Sequence, residues 1–257
     1  MTSHAVSDTL ALTGRSLRHV LRSPDTIITT ALMPIAFMLL FVYVFGGAID
    51  TGQGAGAGSY VNYLLPGILL ITIASGISYT AYRLFLDVQG GIVERFSSMP
   101  IGRSAVPWAH VLTSVVANVV SLVIVVGVAF LLGFRTGAGV LAWLAVAGVL
   151  VLFTLALTWV AVIPGLTASS VDGASAFSYP LIFLPFLSSA FVPTESMPGP
   201  LRWFAEHQPV TAIVDTIRAL FTEQAVGSQF WVALAWTVAI LLVAFVTANL
   251  IYRRRLA

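Results

Sequence analysis

Cysteine and lysine are both absent from this chain of 257 residues, and only 9% of its side chains are charged. The absence of cysteine excludes disulfides, thiolate metal sites and cysteine nucleophiles. The absence of lysine excludes a phosphate-binding loop of the G-x-x-x-x-G-K-[ST] type, in which the lysine contacts the phosphates. The shortage of charge excludes a soluble globular fold, because soluble domains carry about 25% charged residues.

The chain is unusually rich in apolar side chains. Hydrophobic side chains make up 58% of the residues, and the mean hydropathy is +0.98. The 12 basic residues, all arginine, and the 10 acidic residues leave a net charge of +2, which is too small to favour a nucleic-acid partner. The composition therefore predicts an integral membrane protein with no nucleic-acid partner.

Runs without charge divide the chain into six apolar segments. A helix needs about 20 apolar residues to cross the hydrocarbon core of a bilayer. We therefore predict an all-α membrane protein with a single transmembrane domain, residues 1–257. Its six transmembrane helices are predicted at 27–45, 62–82, 106–132, 140–163, 174–192 and 230–251.

The arginines predict the orientation. An even number of spans places both termini on the same side of the membrane. With the termini inside, only Arg135, Arg202 and Arg218 of the 12 arginines lie outside, in agreement with the positive-inside rule. The first apolar run starts too late and is too long for a cleavable signal. We predict a multi-pass protein of the bacterial inner (plasma) membrane with both termini in the cytoplasm.

Two further segments suggest membrane-associated helices. Residues 6–23 are amphipathic, which predicts a helix in the cytoplasmic headgroup layer, although an ordinary topology signal has the same pattern. Residues 193–224 contain two short helical patterns, 201–207 and 211–222, and the second carries an Asp215/Arg218 pair. We predict an external re-entrant hairpin here; a plain extracellular loop is the alternative.

The loop between the second and third predicted spans has the most specific pattern. Val88, Ile92, Phe96 and Met99 form one apolar stripe at helical spacing, with Gly90 and Gly91 near its start and Pro100 at its end. We predict a short helix over 87–99 that docks on a partner. The stripe alone is equally compatible with a helix that lies on the membrane surface.

Two segments carry a resemblance to a known family. The first contains Phe85, Gly90, Gly91, Glu94, Arg95, Met99, Pro100 and Arg103. It resembles the coupling-helix region of type-2 ATP-binding-cassette (ABC) exporter permeases, especially those of the daunorubicin/doxorubicin-resistance type. The stretch 208–218 is similar to the N-P-x-T/S…R segment of that family, with Gln208 where asparagine is usual.

The resemblance implies a half-transporter. In that family two six-span subunits pair, here as a homodimer, and each contacts a separate cytoplasmic ATPase that binds ATP and Mg²⁺. This chain would then be no enzyme and would bind no cofactor or metal itself. The residues that the resemblance assigns to ATPase coupling are Asp87, Gly91, Glu94, Arg95, Phe96, Met99 and Arg103. Export, as opposed to import, follows from the resemblance alone.

Aromatic side chains dominate the faces that could line a cargo pathway. They are Tyr79, Tyr82 and Phe85 on the second span and Phe177, Phe183 and Phe186 on the fifth. Cationic pockets for a polyanion are missing from the spans. This favours an amphipathic or lipophilic cargo (a drug, an antibiotic or a lipid) over a polysaccharide or lipid-linked glycan, which stays an alternative. Helix packing or lipid contact is the other interpretation of these aromatic residues.

Two other classes of function stay open. An ion-coupled secondary transporter or channel usually carries Asp, Glu or His inside its spans. Here only His110 lies in one, near its cytoplasmic end, where we expect an interfacial hydrogen bond. A membrane-embedded enzyme needs an activated serine or an acidic metal cluster. Ser75 lacks a G-x-S-x-G frame, and we expect it to allow close helix packing instead.

Overall fold

The computed structural model describes residues 13–14, 24–45, 57–91 and 105–255, and every regular element in these ranges is a helix. Of the predicted interfacial helix, 6–23, only Thr13 and Gly14 are described, and both are helical.

The first half of the chain forms long helices. Helix α1 spans Pro24–Leu40 and runs on into a π-helical turn, Phe41–Phe45. Helices α2, α3 and α4 span Ala57–Gln89, Ala105–Leu131 and Val140–Thr167. Helix α2, with 33 residues, is longer than the predicted span 62–82 because it continues past the charged residues Arg83 and Asp87. Helix α4, with 28 residues, is four residues longer than the predicted span 140–163, and α3 has the 27 residues predicted, shifted by one position.

The second half begins with short pieces and ends with one long helix. Helices α5 and α6 span Val171–Ala176 and Ser178–Phe183, followed by a 3₁₀ turn at Leu184–Leu187. A second 3₁₀ turn, Thr194–Ser196, precedes helices α7, Gly199–His207, and α8, Pro209–Phe221. Helix α9, Ser228–Arg255, ends the described chain.

The predicted fifth span, 174–192, is not one continuous helix. A break at Phe177 separates α5 from α6, and helical structure stops at Leu187, after which Ser188 is extended. Proline lacks the N–H that a continuing helix needs, and its ring clashes with the preceding turn. Pro180 and Pro185 lie in this stretch, so the helix is divided and shortened there.

Four of the described helices, α2, α3, α4 and α9, are long and apolar enough to cross a membrane. Two shorter apolar stretches, Thr30–Phe45 and Val171–Leu187, run beside them. The chain is therefore a helical, multi-pass membrane protein, and a total of six crossings stays a prediction.

The two ends of the helix bundle differ in charge. Helices α2 and α9 finish, and α3 begins, at an end that carries Arg83 and Arg253–Arg255; we call it the arginine-rich end. There Arg255 donates a hydrogen bond to the backbone oxygen of Leu166, near the end of α4. Helices α7 and α8 lie at the opposite end, which we call the hairpin end.

Helix α2 is the centre of the bundle. Of its most apolar 18-residue window, 83% is buried, against 33% for α3, 33% for α4 and 17% for α9. It contacts α1, α3, α4, α5, α6 and α8. The other long helices therefore have broad faces left for lipid or for a partner, whereas α2 is covered by protein on most of its surface.

Helices α2 and α3 approach each other most closely at a glycine. A Cβ atom added to Gly76 would collide with Oδ1 of Asn118, which is buried on α3. One turn further along α2, the Thr80 hydroxyl donates a 2.5 Å hydrogen bond to the Ser114 hydroxyl. Small residues allow membrane helices to pack closely and to exchange such hydrogen bonds. The close contact expected at Ser75 thus falls on its neighbour Gly76.

We predict that Gly76→Ala destabilises the bundle, because its methyl group must displace Asn118. Overpacking of this kind costs about 1–3 kcal/mol. Gly127→Ala is the matched control, since a Cβ at Gly127 meets nothing within 4 Å. Thermal unfolding of the detergent-solubilised variants should show a lowered midpoint for Gly76→Ala only. The double variant Gly76→Ala/Asn118→Ala should recover part of the lost stability. An unchanged midpoint for Gly76→Ala alone would contradict the close contact between α2 and α3 at Gly76.

Candidate functional site

Helix α2 ends at the arginine-rich end with a glycine turn. The Gly90 N–H donates to the backbone oxygen of Leu86 at 2.8 Å, and the Gly91 N–H donates to that of Val88 at 3.2 Å. Gly91 has a φ of 67°, a left-handed conformation that glycine adopts without strain and that commonly ends helices. Residues 87–89 are therefore the last residues of α2, and the predicted helix 87–99 does not begin with them.

One side-chain contact joins the helices on either side of the undescribed segment 92–104. Asp87 lies in the last turn of α2 and His110 near the start of α3, and Oδ2 of Asp87 is 3.0 Å from Nε2 of His110. The side chains are 36% and 14% exposed, respectively, so the pair lies at the edge of the protein interior. The contact holds the two ends of the loop at a fixed separation.

An aromatic cluster supports the start of α3 beside this pair. Trp108 meets the ring of Trp159 edge to face with 5.1 Å between centroids, and Phe245 meets Trp159 in the same way at 4.8 Å. The three rings belong to α3, α4 and α9. Edge-to-face pairs of this kind add about 0.5–1.5 kcal/mol each beyond the area that they bury. The beginning of α3 is therefore anchored to the long helices behind it.

A groove opens between α1, α2 and α5, on the half of the bundle towards the arginine-rich end. It has a volume of about 270 Å³ and is lined by Thr30, Ser75, Ser78, Tyr79, Tyr82 and Ser175. All six lining residues carry a hydroxyl group, and we call it the hydroxyl groove. The rings of Tyr79 and Tyr82 lie 5.8 Å apart, and the Arg83 guanidinium lies 5.6 Å from the centre of the Tyr79 ring.

At the hairpin end, a single arginine ties three segments together. The Arg218 side chain donates to Oδ1 of Asp215 at 2.8 Å, to the backbone oxygen of Ser189 at 2.8 Å and to that of Tyr63 at 3.2 Å. Its guanidinium carbon lies 3.9 Å from the centre of the Tyr63 ring. The Ser189 hydroxyl also donates to Asp215 at 2.7 Å. Helix α8 is thereby fixed to the start of α2 and to the chain that follows α6.

Gln208, at the start of α8, makes no side-chain cap of that helix. Its amide nitrogen donates instead to the backbone oxygen of Leu187 at 2.5 Å, while its Oε1 is buried with no partner in the described chain. The longer side chain reaches past the helix terminus to the end of the 3₁₀ turn, so it connects α8 to the broken fifth segment.

Comparison with known proteins covers most of the chain. The sequence profile of the family described as "ABC-2 type transporter" matches residues 7–222. The chain belongs to this family.

Two relatives align with most of this chain. It is 31% identical over 231 residues to the daunorubicin resistance ABC transporter permease protein of Streptomyces coeruleorubidus, which is 88% of this chain and 78% of that one. It is 27% identical over 253 residues to the probable doxorubicin resistance ABC transporter permease protein of Mycobacterium tuberculosis, which is 97% of this chain and 89% of that one. The resemblance found in the sequence is thus confirmed, and the family is a membrane-transport component.

The structure places only part of the predicted coupling segment. Asp87 and Gly91 are described and lie at the end of α2. Glu94, Arg95, Phe96, Met99 and Arg103 lie outside the described residues. The assignment of all seven to ATPase coupling stays a prediction.

The six aromatic residues predicted for a cargo pathway are not brought together. Tyr79 and Tyr82 line the hydroxyl groove. Phe85 is buried, Phe177 packs against the core and Phe183 is 62% exposed. Phe186 stacks on Phe191 with 4.8 Å between centroids, in a separate cluster with Phe37 and Phe41, and its ring lies 6.2 Å from that of Phe183. Only the two tyrosines share one cavity.

Sequence reasoning did not identify the serine and threonine residues that line the groove together with these tyrosines. Ser75, Ser78, Tyr79 and Tyr82 have the i, i+3, i+4, i+7 spacing that places residues on one helix face, and this spacing could have revealed the stripe. Thr30 and Ser175 lie on other helices, and no local pattern identifies them. Likewise, the pair Asp215/Arg218 was found, but the backbone acceptors of Arg218 were not.

We predict that Arg218→Gln loosens the hairpin end of the permease. The Arg218 side chain is only 13% exposed, and its removal takes a donor from two backbone oxygens and leaves Asp215 with the Ser189 hydroxyl alone. Breaking a fully buried ion pair costs about 3–5 kcal/mol, and because Asp215 is 33% exposed we expect a smaller loss here, which still exceeds that of a surface pair. Arg202→Gln is the control, because the pair Arg202–Glu206 is 46% and 39% exposed and such pairs contribute about 0–1 kcal/mol.

Hydrogen exchange of the α8 amides in nanodiscs measures this effect. We expect much faster exchange across α8 for Arg218→Gln and unchanged exchange for Arg202→Gln. Equal exchange in both variants would show that Arg218 does not anchor the hairpin.

Proposed function

We propose that this chain is the membrane-spanning permease subunit of an ATP-driven exporter, and that a separate ABC ATPase supplies the energy. Family membership over residues 7–222 is the observation that carries the proposal. In support, the chain has no lysine and therefore no lysine-containing phosphate-binding loop of its own. Two copies of the chain and two ATPase subunits would make the complete exporter.

The arginine-rich end is the cytoplasmic end in this proposal. The end of α2, the segment 92–104 and the end of α9 would then face the ATPase, and the hairpin end would face outward. The positive-inside rule supports this orientation, because nine of the 12 arginines fall on the cytoplasmic side under six crossings.

Coupling is proposed at the segment that begins where α2 ends. An ATPase that pushes on residues 92–99 would act directly on two helices, since Asp87 and His110 connect the last turn of α2 to the start of α3. Because α2 is the most enclosed helix of the bundle, a displacement of its end would reach the surrounding helices.

The cargo is proposed to be an amphipathic or lipophilic small molecule, such as a drug or antibiotic. The names of the relatives concern daunorubicin and doxorubicin resistance. The hydroxyl groove, with tyrosine rings and no charged residue in its lining, is compatible with such a molecule and unsuited to a polyanion.

Charge reversal at Glu94, in the segment that follows α2, tests the proposed coupling to the ATPase. If Glu94 docks in a cleft of the ATPase, Glu94→Arg replaces a matched contact by a repelled and desolvated charge. We expect at least about a tenfold loss in affinity for the ATPase, corresponding to about 1.4 kcal/mol. Asp172→Arg is the control, since Asp172 is an exposed acidic residue at the same end of the bundle, in the first turn of α5.

Co-purification with the ATPase from membranes and ATP-dependent dye export are the two readouts. We expect ATPase recovery and dye export to fall for Glu94→Arg and to persist for Asp172→Arg. The two variants should be folded to the same extent. Unchanged ATPase recovery and unchanged export for Glu94→Arg would rule out docking through this segment.

A further inference from the structure

One face of helix α8 carries four polar residues that bond to another segment. They repeat at spacings of three, four and three residues, which places them on the same side of the helix: Gln208, Thr211, Asp215 and Arg218. We call them the α8 stripe. Gln208 donates to the backbone oxygen of Leu187, and the other three contact Ser189. Because helical structure has ended at Leu187, the backbone here needs partners from another segment, and the α8 stripe supplies them.

The segment held by the α8 stripe also packs tightly on the start of α2. A Cβ atom added to Gly67 would collide with the Cβ atom of Ala190, so the two segments are in direct contact there. One turn earlier on α2, the backbone oxygen of Tyr63 accepts a hydrogen bond from Arg218, whose guanidinium also lies over the Tyr63 ring. Arg218 therefore joins α8, the chain after the fifth segment and α2.

The loop between α3 and α4 is bonded to the same group of segments. The Asn62 side chain donates to the backbone oxygen of Arg135 at 3.0 Å and accepts from its N–H at 3.1 Å. The Thr136 hydroxyl donates to the backbone oxygen of Phe221, at the end of α8. We call the four connected segments the hairpin hub; they are residues 60–67, 132–139, 187–191 and 208–221.

Helix α2 connects the hairpin hub to the arginine-rich end. It is one continuous helix of 33 residues, which at 1.5 Å per residue is about 50 Å long, and no proline follows Pro66 in it. The fifth segment, by contrast, is broken at Phe177 and loses its helical structure after Leu187. A displacement of the end of α2 is therefore carried along α2 to the hub, whereas the fifth segment is not built to transmit it.

We propose that Arg218 is a positioning residue, and that with the rest of the α8 stripe it makes the hairpin hub move as one body with α2, so that the push of the ATPase reaches the hairpin end. This rests on the proposed function, because an ATPase must act on the end of α2. Arg218 acts here through α2 and contacts neither nucleotide nor ATPase. Its loss should leave ATPase binding and ATP hydrolysis intact and should separate hydrolysis from export.

The variant Arg218→Gln tests this separation. ATP hydrolysis and ATP-dependent transport of rhodamine 6G are measured in the same proteoliposomes, which contain the permease and its ATPase. Coupling free energies between distant sites typically correspond to about a fivefold to 150-fold effect, so we expect the transport per ATP hydrolysed to fall by at least about fivefold. Arg202→Gln is the control, because its pair with Glu206 is exposed and lies within one helix at the same end.

A reversible cross-link shows whether the lost connection is the cause. The native chain has no cysteine, so Ser189→Cys/Thr211→Cys can be oxidised and reduced without background. The Ser189 N–H lies 3.4 Å from the Thr211 hydroxyl, so the disulfide would join the same two segments that Arg218 joins. Added to Arg218→Gln, the pair should restore transport when oxidised and lose it again when reduced. A chain that had only misfolded would not recover in this way.

Four results would overturn the proposal. They are wild-type transport by Arg218→Gln, hydrolysis and transport that fall in parallel, transport that stays low after the disulfide has formed, and a disulfide that blocks transport when Arg218 is present. In the last case the two segments would have to separate during the transport cycle.

Failure of the hub and failure of the coupling segment are distinguishable. Glu94→Arg should lower recovery of the ATPase, whereas Arg218→Gln should leave that recovery unchanged. If Glu94→Arg behaves as expected and Arg218→Gln transports like the wild-type chain, the permease function stands and the hub is wrong.

Discussion

Enclosure of α2 by other helices is the constraint on which the rest of the structure depends. A helix in lipid can leave its side chains in the hydrocarbon, but α2 touches protein on most of its surface, so each of its faces must fit a different neighbour. Asn118 of α3 packs closely against Gly76, and the guanidinium of Arg218 on α8 lies over the ring of Tyr63. Towards its end, Asp87 reaches His110, and Gly91 stops the helix.

The polar groups of the bundle are divided by depth. The charged side chains that join helices lie at the two ends, Arg218 at one and Asp87, beside His110, at the other. Between them, hydroxyl groups bond to their own helix, line the groove or, as Thr80 does with Ser114, bond to a neighbouring helix. In an apolar medium a charge is costly without a partner, so the ends carry charge and the interior carries hydroxyls.

Charge-free runs were sufficient to locate the long helices. A charged side chain is costly to bury in a membrane, so the positions of the charged residues along the sequence mark where the apolar helices lie. The fifth segment was predicted as one span because it is free of charge, and its interruption depends on Pro180 and Pro185 and on how residues 184–187 turn. The sequence identified Tyr79 and Tyr82, whereas Thr30 and Ser175 joined them only through the packing of α1 and α5 on α2. Arg218 was found with Asp215, its neighbour on one helix face, but its bonds to backbone oxygens of Tyr63 and Ser189 are long-range and leave no pattern in the sequence.

We propose that free energy enters this protein from a separate ATPase. The most direct measurement is uphill transport of a lipophilic dye, rhodamine 6G, by the purified chain in liposomes, with and without its ATPase partner. The account predicts no uphill transport by the chain alone, and ATP-dependent transport with the ATPase that survives a proton ionophore. Uphill transport by the chain alone, driven by an imposed proton or sodium gradient, would contradict the account and make the Asp87–His110 pair the first candidate for an ion relay.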